Sequence, residues 1–357
     1  MNTNKFSDWN LPVGNIFVVS GPCSAESEDQ IIQTARSLQK CDVNLFRAGI
    51  WKPRTRPGSF EGVGTRGLKW LKKVKEIVGM PVTTEVANST HVEECLNHDI
   101  DILWIGARTT VNPFSVQNIA DALKGVDIPV MVKNPINPEL DLWIGAVERL
   151  DRAGITKLAA IHRGFSSFRG NTYRNKPNWK IPIELRRRLP DLPMICDPSH
   201  ICGNRELLLS VSRQAMDLLF DGLMIESHID PDSALSDAFQ QITPGQLHDM
   251  LNRIVVKRLS GDEKDIDRIE SLRNKIDDVD SHIIELIARR MEFVLEIGRY
   301  KMENNIAILQ PNRWEEIVRS RISAGRMHNL SKEFILSCYQ YIHEESIIRQ
   351  IELTENK

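Results

Sequence analysis

A thiol, imidazoles, carboxylates and a run of cations recur along the first 240 positions, each where an apolar stretch gives out. Cys23, His200, Glu226 and Asp237 form a mixed set of one thiol, one imidazole and two carboxylates. Such donors suit a borderline divalent ion such as Mn²⁺, Fe²⁺ or Zn²⁺. Arg47, Lys52, Arg54, Arg108, Lys133 and Arg163 are a second set. A dry site holds that many cations only to neutralise an anionic ligand, and more than one phosphate or carboxylate is implied. Metal donors beside anion-binding cations point to condensation or phosphate chemistry on small phosphorylated substrates.

The elements that position these residues follow from the hydrophobic pattern. β-branched runs near 15–22, 44–50, 81–87, 102–107, 129–134, 157–163, 193–197 and 222–228 read as strands. Helical patterns lie between them, at 28–40, 66–79, 204–220 and 244–259 among others. Eight strands, each followed by a helix, over this length predict a (β/α)8 TIM barrel. A doubly wound open sheet is the rival, but it normally has fewer strands, and the first βα turn carries no GxGxxG. In a barrel the site lies at the C-terminal strand ends, and every predicted end carries a residue able to bind charge. Each has a plainer reading alone: a packed thiol for Cys23, a turn histidine for His200, a strand-end carboxylate for Glu226, a solvated loop for Arg54 and Arg56. Eight such coincidences would be needed together.

Beyond about residue 260 the pattern changes. SGDEKD (260–265) reads as a polar linker between a barrel at 1–259 and a small all-α domain at 266–357. Apolar residues from Ile266 through Leu272, Ile276, Val279, Ile283 and Leu286 to Ile297 keep helical spacing up to Asn304-Asn305. This helix of about 40 residues would be roughly 60 Å long. The helices expected at 312–323 and 331–352 are too short to cover its stripe, which predicts a homodimer through this domain.

Composition narrows the partners. With 46 basic against 48 acidic residues the net charge is -2, which gives no reason to expect nucleic acid or an anionic membrane. The N-terminus lacks a signal-peptide layout, and no apolar run reaches membrane-spanning length, so a cytoplasmic protein acting on small molecules is expected. Six cysteines without CxxC spacing favour free thiols or a metal ligand over disulfides.

The stretches GPCSAES, FRAGIWKPRT, TTEVA, WIGARTT, VMVKNP, IHRG, CDPSH and LMIESHIDPDSALSDA carry a resemblance. They closely resemble the type I 3-deoxy-D-arabino-heptulosonate 7-phosphate (DAHP) synthases, in the β subgroup nearest to the 3-deoxy-octulosonate 8-phosphate synthases. The KPRT motif at 52–55 separates the chain from that second group. The resemblance implies condensation of phosphoenolpyruvate (PEP) with erythrose 4-phosphate, releasing phosphate. It also implies a divalent metal, Mn²⁺ first, with Fe²⁺, Zn²⁺ or Co²⁺ as alternatives. By the family pattern Cys23, His200, Glu226 and Asp237 bind the metal, and Arg47, Lys52, Arg108, Lys133 and Arg163 hold PEP. Arg54 and Thr55 fall to erythrose 4-phosphate, while Lys52, His162 and Glu85 are the catalytic candidates, the last two for handling the proton of the attacking water.

Residues 266–352 resemble an all-α chorismate mutase, through LRNKIDDVDSHIIELIARRMEFVLEIGRYK, QPNRWEE and YIHEESIIRQ. That rearrangement needs no covalent group, only cations that hold a compact dicarboxylate and a donor near the breaking ether bond. Arg290 and Lys301 are about three turns apart on one face, whereas Arg273 lies roughly 25 Å before Arg290 along the axis. Arg273 is therefore expected to serve the partner's site, as in the family's intertwined dimer. Position by position, Arg273, Arg290, Lys301, Gln310, Arg313, Ser346 and Gln350 match the family's chorismate-binding set, with Gln350 as the catalytic donor. Trp314 stands where a glutamate is common, and Gln310 where an acidic residue is. The alternative is a tail that senses prephenate or chorismate without turning it over. About 15 residues precede the first strand, so feedback control by such a ligand is expected to act through the tail.

Overall fold

The computed structural model describes residues 5–11, 14, 16–53, 58–167, 172–256 and 263–355. Contacts divide the chain into two compact units, Met1–Lys257 and Arg258–Lys357.

In the first unit eight parallel strands pair in sequence order and close on themselves. They are β1 (Phe17–Gly21), β2 (Leu45–Arg47), β3 (Val82–Val86), β4 (Ile102–Ile105), β5 (Val130–Lys133), β6 (Leu158–His162), β7 (Met194–Cys196) and β8 (Gly222–Glu226). Closure runs from Phe17 opposite Gly222 to Gly21 opposite Glu226, so the first and last strand ends stand side by side.

Side chains alternate between two cores, as the pleat requires. Phe17, Val19, Leu45, Trp104, Met131, Ile161, Ile195 and Met224 fill the barrel interior. Their sequence neighbours Phe46, Leu103, Val132, Ala160, Cys196 and Ile225 face the helices. One more inward step brings Arg47, Glu85, Lys133, Arg163, Asp197 and Glu226 to the C-terminal mouth. Below, a short turn at Phe6–Trp9 plugs the barrel, with Phe6 stacked on Phe17 at 4.1 Å between ring centroids.

Local sequence accounts for the helices around the barrel. Ser27 caps the helix Glu28–Leu38 by accepting from the Gln30 N–H, and Ile31, Ala35 and Leu38 form its buried face. Several elements are shorter than the periodicity predicts. The second strand ends at Arg47, where the chain turns to bridge Gly49 to Ser24, and the 204–220 pattern is helical only over Leu208–Asp217. The expected linker is partly helical: the long helix runs Glu263–Glu303, and residues 257–262 lie outside the described ones. A helix of Lys180–Arg188, which the periodicity did not single out, follows β6.

The second unit is the long helix, a middle helix Pro311–Met327 and a last helix Lys332–Glu355. The long and last helices meet closely at Gly298, where a Cβ would sit 2.9 Å from the Gln350 side chain. Ile266, Ile269, Leu272, Ile276, Val279, Ile283 and Leu286 all remain exposed on the long helix. No helix among the described residues is long and apolar enough to cross a membrane.

Candidate active sites

The GPC turn after β1 is built around a close approach. Gly21 has φ +150, and a Cβ there would lie 2.0 Å from the Arg47 carbonyl oxygen. Only glycine lets β1 end against β2 so tightly. The turn delivers Cys23, whose backbone N–H donates to Gln241 Oε1 at 2.8 Å. Cys23 Sγ lies 3.2 Å from Asp237 Oδ2, and the ligand atoms of Cys23, Glu226 and Asp237 all fall within 4.8 Å of one another. Asp237 reaches the group from a left-handed backbone, φ 50, a conformation a non-glycine residue adopts at a cost.

His200 stands beside Glu226 but outside this tight group of three. It sits in the short helix Pro198–Cys202, where Asp197 is the N-cap and accepts from the His200 N–H at 3.1 Å. Asp197 Oδ2 stands 2.8 Å from His200 Nδ1, and His200 Nε2 is 3.8 Å from Glu226 Oε1. A carboxylate beside one ring nitrogen leaves the other facing Glu226. Thiol, imidazole and two carboxylates converging from four segments are donors that a divalent ion of intermediate softness accepts.

Electrostatics support that fit. Burial pushes the Cys23 thiol up to about 12, with Glu226 and Asp237 adding to the rise and Lys52 and Arg47 opposing it. A resident cation would reverse this, because a coordinating thiol is deprotonated outright. Burial also works against the charged forms of Glu226 and Asp237, yet both are held below the usual carboxylate range. His200 and Arg47 do this for Glu226, and Arg174, His200 and Lys52 for Asp237.

Above the cluster opens a cavity of about 350 Å³. Its walls hold five cations, Lys52, Arg108, Lys133, Arg163 and Arg174, together with Glu85, His200 and Asp237. Lys52 Nζ reaches Cys23 Sγ at 2.9 Å, and Lys133 Nζ pairs with Asp197 at 2.8 Å. Arg163 donates to Asn175 Oδ1 at 2.7 Å, and Arg174 pairs with Asp237 at 3.0 Å. Burial pushes the Arg163 guanidinium down to about 10; Asp197 opposes the fall, and nearby Arg174 and Arg108 deepen it. Cations that depress one another in a confined space are stabilised by an entering anion.

The expected residues do not all meet in one place. Arg47 lies beneath the cavity, 1% exposed, bonded to Glu226 Oε1 and the Cys23 carbonyl and resting over the Trp104 ring at 4.9 Å. Glu85 does line the cavity; its carboxylate accepts from Trp104 Nε1 at 3.0 Å and occupies space that a Cβ at Gly106 would take. His162 is not brought to the cavity. Its ring lies on the helix side of β6, among Trp143, Phe165, Trp179 and Phe220. Burial there pushes its imidazole down to about 3, against the pull of the Pro177 backbone. Inward Ile161 and Arg163 force the residue between them outward. Arg54 and Thr55 lie outside the described residues. Asp197, Arg174, Gln240 and Gln241 were not anticipated as site residues, yet Gln240 bonds Glu226 at 2.6 Å and Arg174 at 2.7 Å.

The helical unit groups part of its expected set. Arg290 donates to Ser346 Oγ at 2.7 Å, Gln350 Nε2 bonds the Ser346 carbonyl at 3.0 Å, and Gln350 Oε1 is buried without a hydrogen-bond partner among the described residues. Lys301 Nζ bonds the Ile308 carbonyl at 2.7 Å. Arg273 and Arg313 are exposed, each paired with a glutamate one turn along its own helix, and Gln310 is exposed too.

Comparison with known proteins decides between barrel families. Residues 14–258 match the sequence profile of the DAHP synthetase I family. The chain belongs to that family. Residues 272–351 match the profile described as chorismate mutase type II, so a DAHP synthase domain is fused to a chorismate mutase domain. The phospho-2-dehydro-3-deoxyheptonate aldolase of Thermotoga maritima is 32% identical over 235 residues, covering 66% of this chain and 68% of the relative. Its crystal structure, described as a DAHP synthase, superposes with a TM-score of 0.59 at 28% identity over 67% of each chain. A 2-dehydro-3-deoxyphosphooctonate aldolase of Methylococcus capsulatus is 28% identical over 257 residues, covering 66% of this chain and 87% of that relative. The helical unit is matched separately.

Proposed function

We propose that the barrel condenses PEP with erythrose 4-phosphate to DAHP and phosphate, and that the helical unit, as a homodimer, rearranges chorismate to prephenate. The observation that carries the first reading is the cavity with five cations on its walls above a thiol, an imidazole and two carboxylates. Cys23, His200, Glu226 and Asp237 hold a divalent ion, Mn²⁺ first. Bound there, the ion supplies Lewis acidity toward the aldehyde oxygen of the second substrate.

The remaining work belongs to the chain. Lys52, Arg108, Lys133, Arg163 and Arg174 neutralise the phosphate and carboxylate of PEP and fix its enol carbon for attack on the aldehyde. Arg47, committed to Glu226 and the Cys23 carbonyl, braces the metal-binding side from below. Glu85, held by the Trp104 indole at the cavity wall, takes the proton of the water that adds at C2 of PEP. His162, caged by aromatic rings away from the cavity, has no part in that transfer. Arg54 and Thr55 receive the erythrose phosphate, which supports heptulosonate over octulosonate specificity; membership of the β subgroup rests on the wider resemblance.

In the tail, Arg290 and Lys301 take the substrate carboxylates, and the buried Gln350 side chain faces the ether oxygen. The exposed stripe from Ile266 to Leu286 is the dimer seam, across which Arg273 serves the partner's site. Free thiols throughout fit a reducing compartment such as the cytoplasm.

The test is a coupled assay on EDTA-treated protein. PEP consumption should require erythrose 4-phosphate and return with added Mn²⁺. Preference for arabinose 5-phosphate would overturn the substrate, and recovery without any metal would overturn the ligand set. Prephenate formation from chorismate, lost in Arg290→Ala, tests the tail; an inactive wild type would leave it a sensor.

A further inference from the structure

One turn of the last helix beyond Ser346 and Gln350 carries a residue the family pattern does not include. His343, Ser346 and Gln350 occupy positions i, i+3 and i+7, and so form one column along a single helix face. Ser346 is fixed by Arg290, and Gln350 packs over Gly298 of the long helix. The face that presents Ser346 and Gln350 to the site therefore presents His343 as well. Its ring is half-buried and stacks flat on Trp314 of the middle helix, 4.3 Å between centroids and 13° between planes. A stacked imidazole keeps both nitrogens at its edge, clear of the indole beneath.

Trp314 and Gln310 are the two positions at which this chain departs from an expected acidic residue, and Gln310, which keeps an amide acceptor, lies exposed. An indole has a single N–H and no acceptor. The substrate, two carboxylates and a hydroxyl on a compact ring, leaves that hydroxyl in search of an acceptor once the cations have taken its carboxylates. We infer that His343, oriented by Trp314, accepts the hydrogen bond of the substrate hydroxyl in the mutase site. The inference rests on the mutase reading of the helical unit.

The surroundings keep the imidazole in its accepting form. Burial lowers its pKa first, and Arg290 and Lys301, both from the long helix, lower it further; the middle helix presents the uncharged Trp314 ring. A neutral ring offers one acceptor nitrogen, whereas a protonated ring offers none.

The test measures chorismate turnover by the full-length protein against pH for the wild type, His343→Leu, His343→Gln and Trp314→Leu. His343→Leu should lower kcat/KM roughly tenfold, the net worth of one hydrogen bond. His343→Gln keeps an amide acceptor and should stay within about threefold of wild type. The wild type should lose kcat/KM on the acid side through an ionisation below the ordinary histidine range, and His343→Gln should lack that limb. Trp314→Leu should fall between the two histidine variants, because the ring is retained but unoriented. Wild-type turnover unchanged by His343→Leu overturns the inference and spares the mutase reading. A limb on the alkaline side, or His343→Gln as poor as His343→Leu, overturns the acceptor role. A wild type without turnover overturns both readings.

Discussion

Replacing Asp197 by asparagine removes a charge that three groups depend on. The carboxylate is fully buried, pairs with Lys133 Nζ at 2.8 Å, faces His200 Nδ1 at 2.8 Å and caps the helix that carries His200. An asparagine whose oxygen keeps the Oδ1 cap turns its NH2, a donor, toward Lys133 at the Oδ2 position, and the Lys133 side chain is only 5% exposed. The substitution leaves that ammonium without a counter-charge. Breaking one side of a buried pair costs about 3 to 5 kcal/mol, and no orientation of the amide serves the cap and Lys133 together. For a domain of this size each kcal/mol lowers Tm by about 2 to 4 °C, so the barrel transition should drop by roughly 6 to 20 °C. Losing the carboxylate behind a metal-bound histidine should also weaken the metal by about 10- to 100-fold. Scanning calorimetry on EDTA-treated protein measures the first effect, and calorimetric titration with Mn²⁺ measures the second. A barrel transition within about 2 °C of wild type, with unchanged Mn²⁺ affinity, would refute the role assigned to Asp197.

Three other outcomes test the remaining assignments. Cys23→Ala should abolish metal-dependent condensation while chorismate turnover persists; loss of both together with the fold would mark Cys23 as a packing residue. His162→Phe should leave condensation intact and make the barrel less acid-labile. The folded imidazole titrates at about 3 against a usual 6.5, so the unfolded chain binds the extra proton between those values. Wild-type stability therefore falls as pH drops through that window, by up to about 1.4 kcal/mol per pH unit from this group, and the phenylalanine variant should lack that part. An unchanged acid limb, or a dead enzyme with a normal fold, would argue against the caged histidine. Ile276→Glu with Val279→Glu places charges in the exposed stripe and should halve the mass seen by sedimentation; an unaltered mass would exclude that seam.

The barrel was legible because its signal is repeated. Eight apolar runs at regular spacing survive errors of two or three residues at any one end, and the second strand is indeed much shorter than its pattern. The site was legible wherever strand-end position coincided with a reactive side chain, as at Cys23, Lys133 and Glu226. His162 shows what that reasoning omits: a strand end is not an orientation. The inward Ile161 determines the answer, since alternate residues face opposite sides, and the same alternation from Ile195 marks Asp197 as inward. That signal was present in the sequence and went unused. Arg174 had no comparable signal, because it arrives from an irregular loop whose path is set by backbone bonds to Ile201 and Cys202.

The alternation also explains why thiol, imidazole and carboxylate groups share one mouth with the cations. Inward positions are apolar at Leu45, Met131, Ile161, Ile195 and Met224, and charged one step higher on the same strands or their ends. Below that level an unpaired charge would face only hydrocarbon, where it costs far more than a hydrogen bond returns. Above it, three cations have found an opposite: Arg47 with Glu226, Lys133 with Asp197, Arg174 with Asp237. These pairs leave Arg163 resting on neutral Asn175 and pushed down to about 10. Of the cavity's cations, Arg163 is thus the one an incoming phosphate or carboxylate relieves most. Arg163→Gln should raise the KM for PEP more than that for erythrose 4-phosphate, and equal changes in both would contradict this placement of the anion.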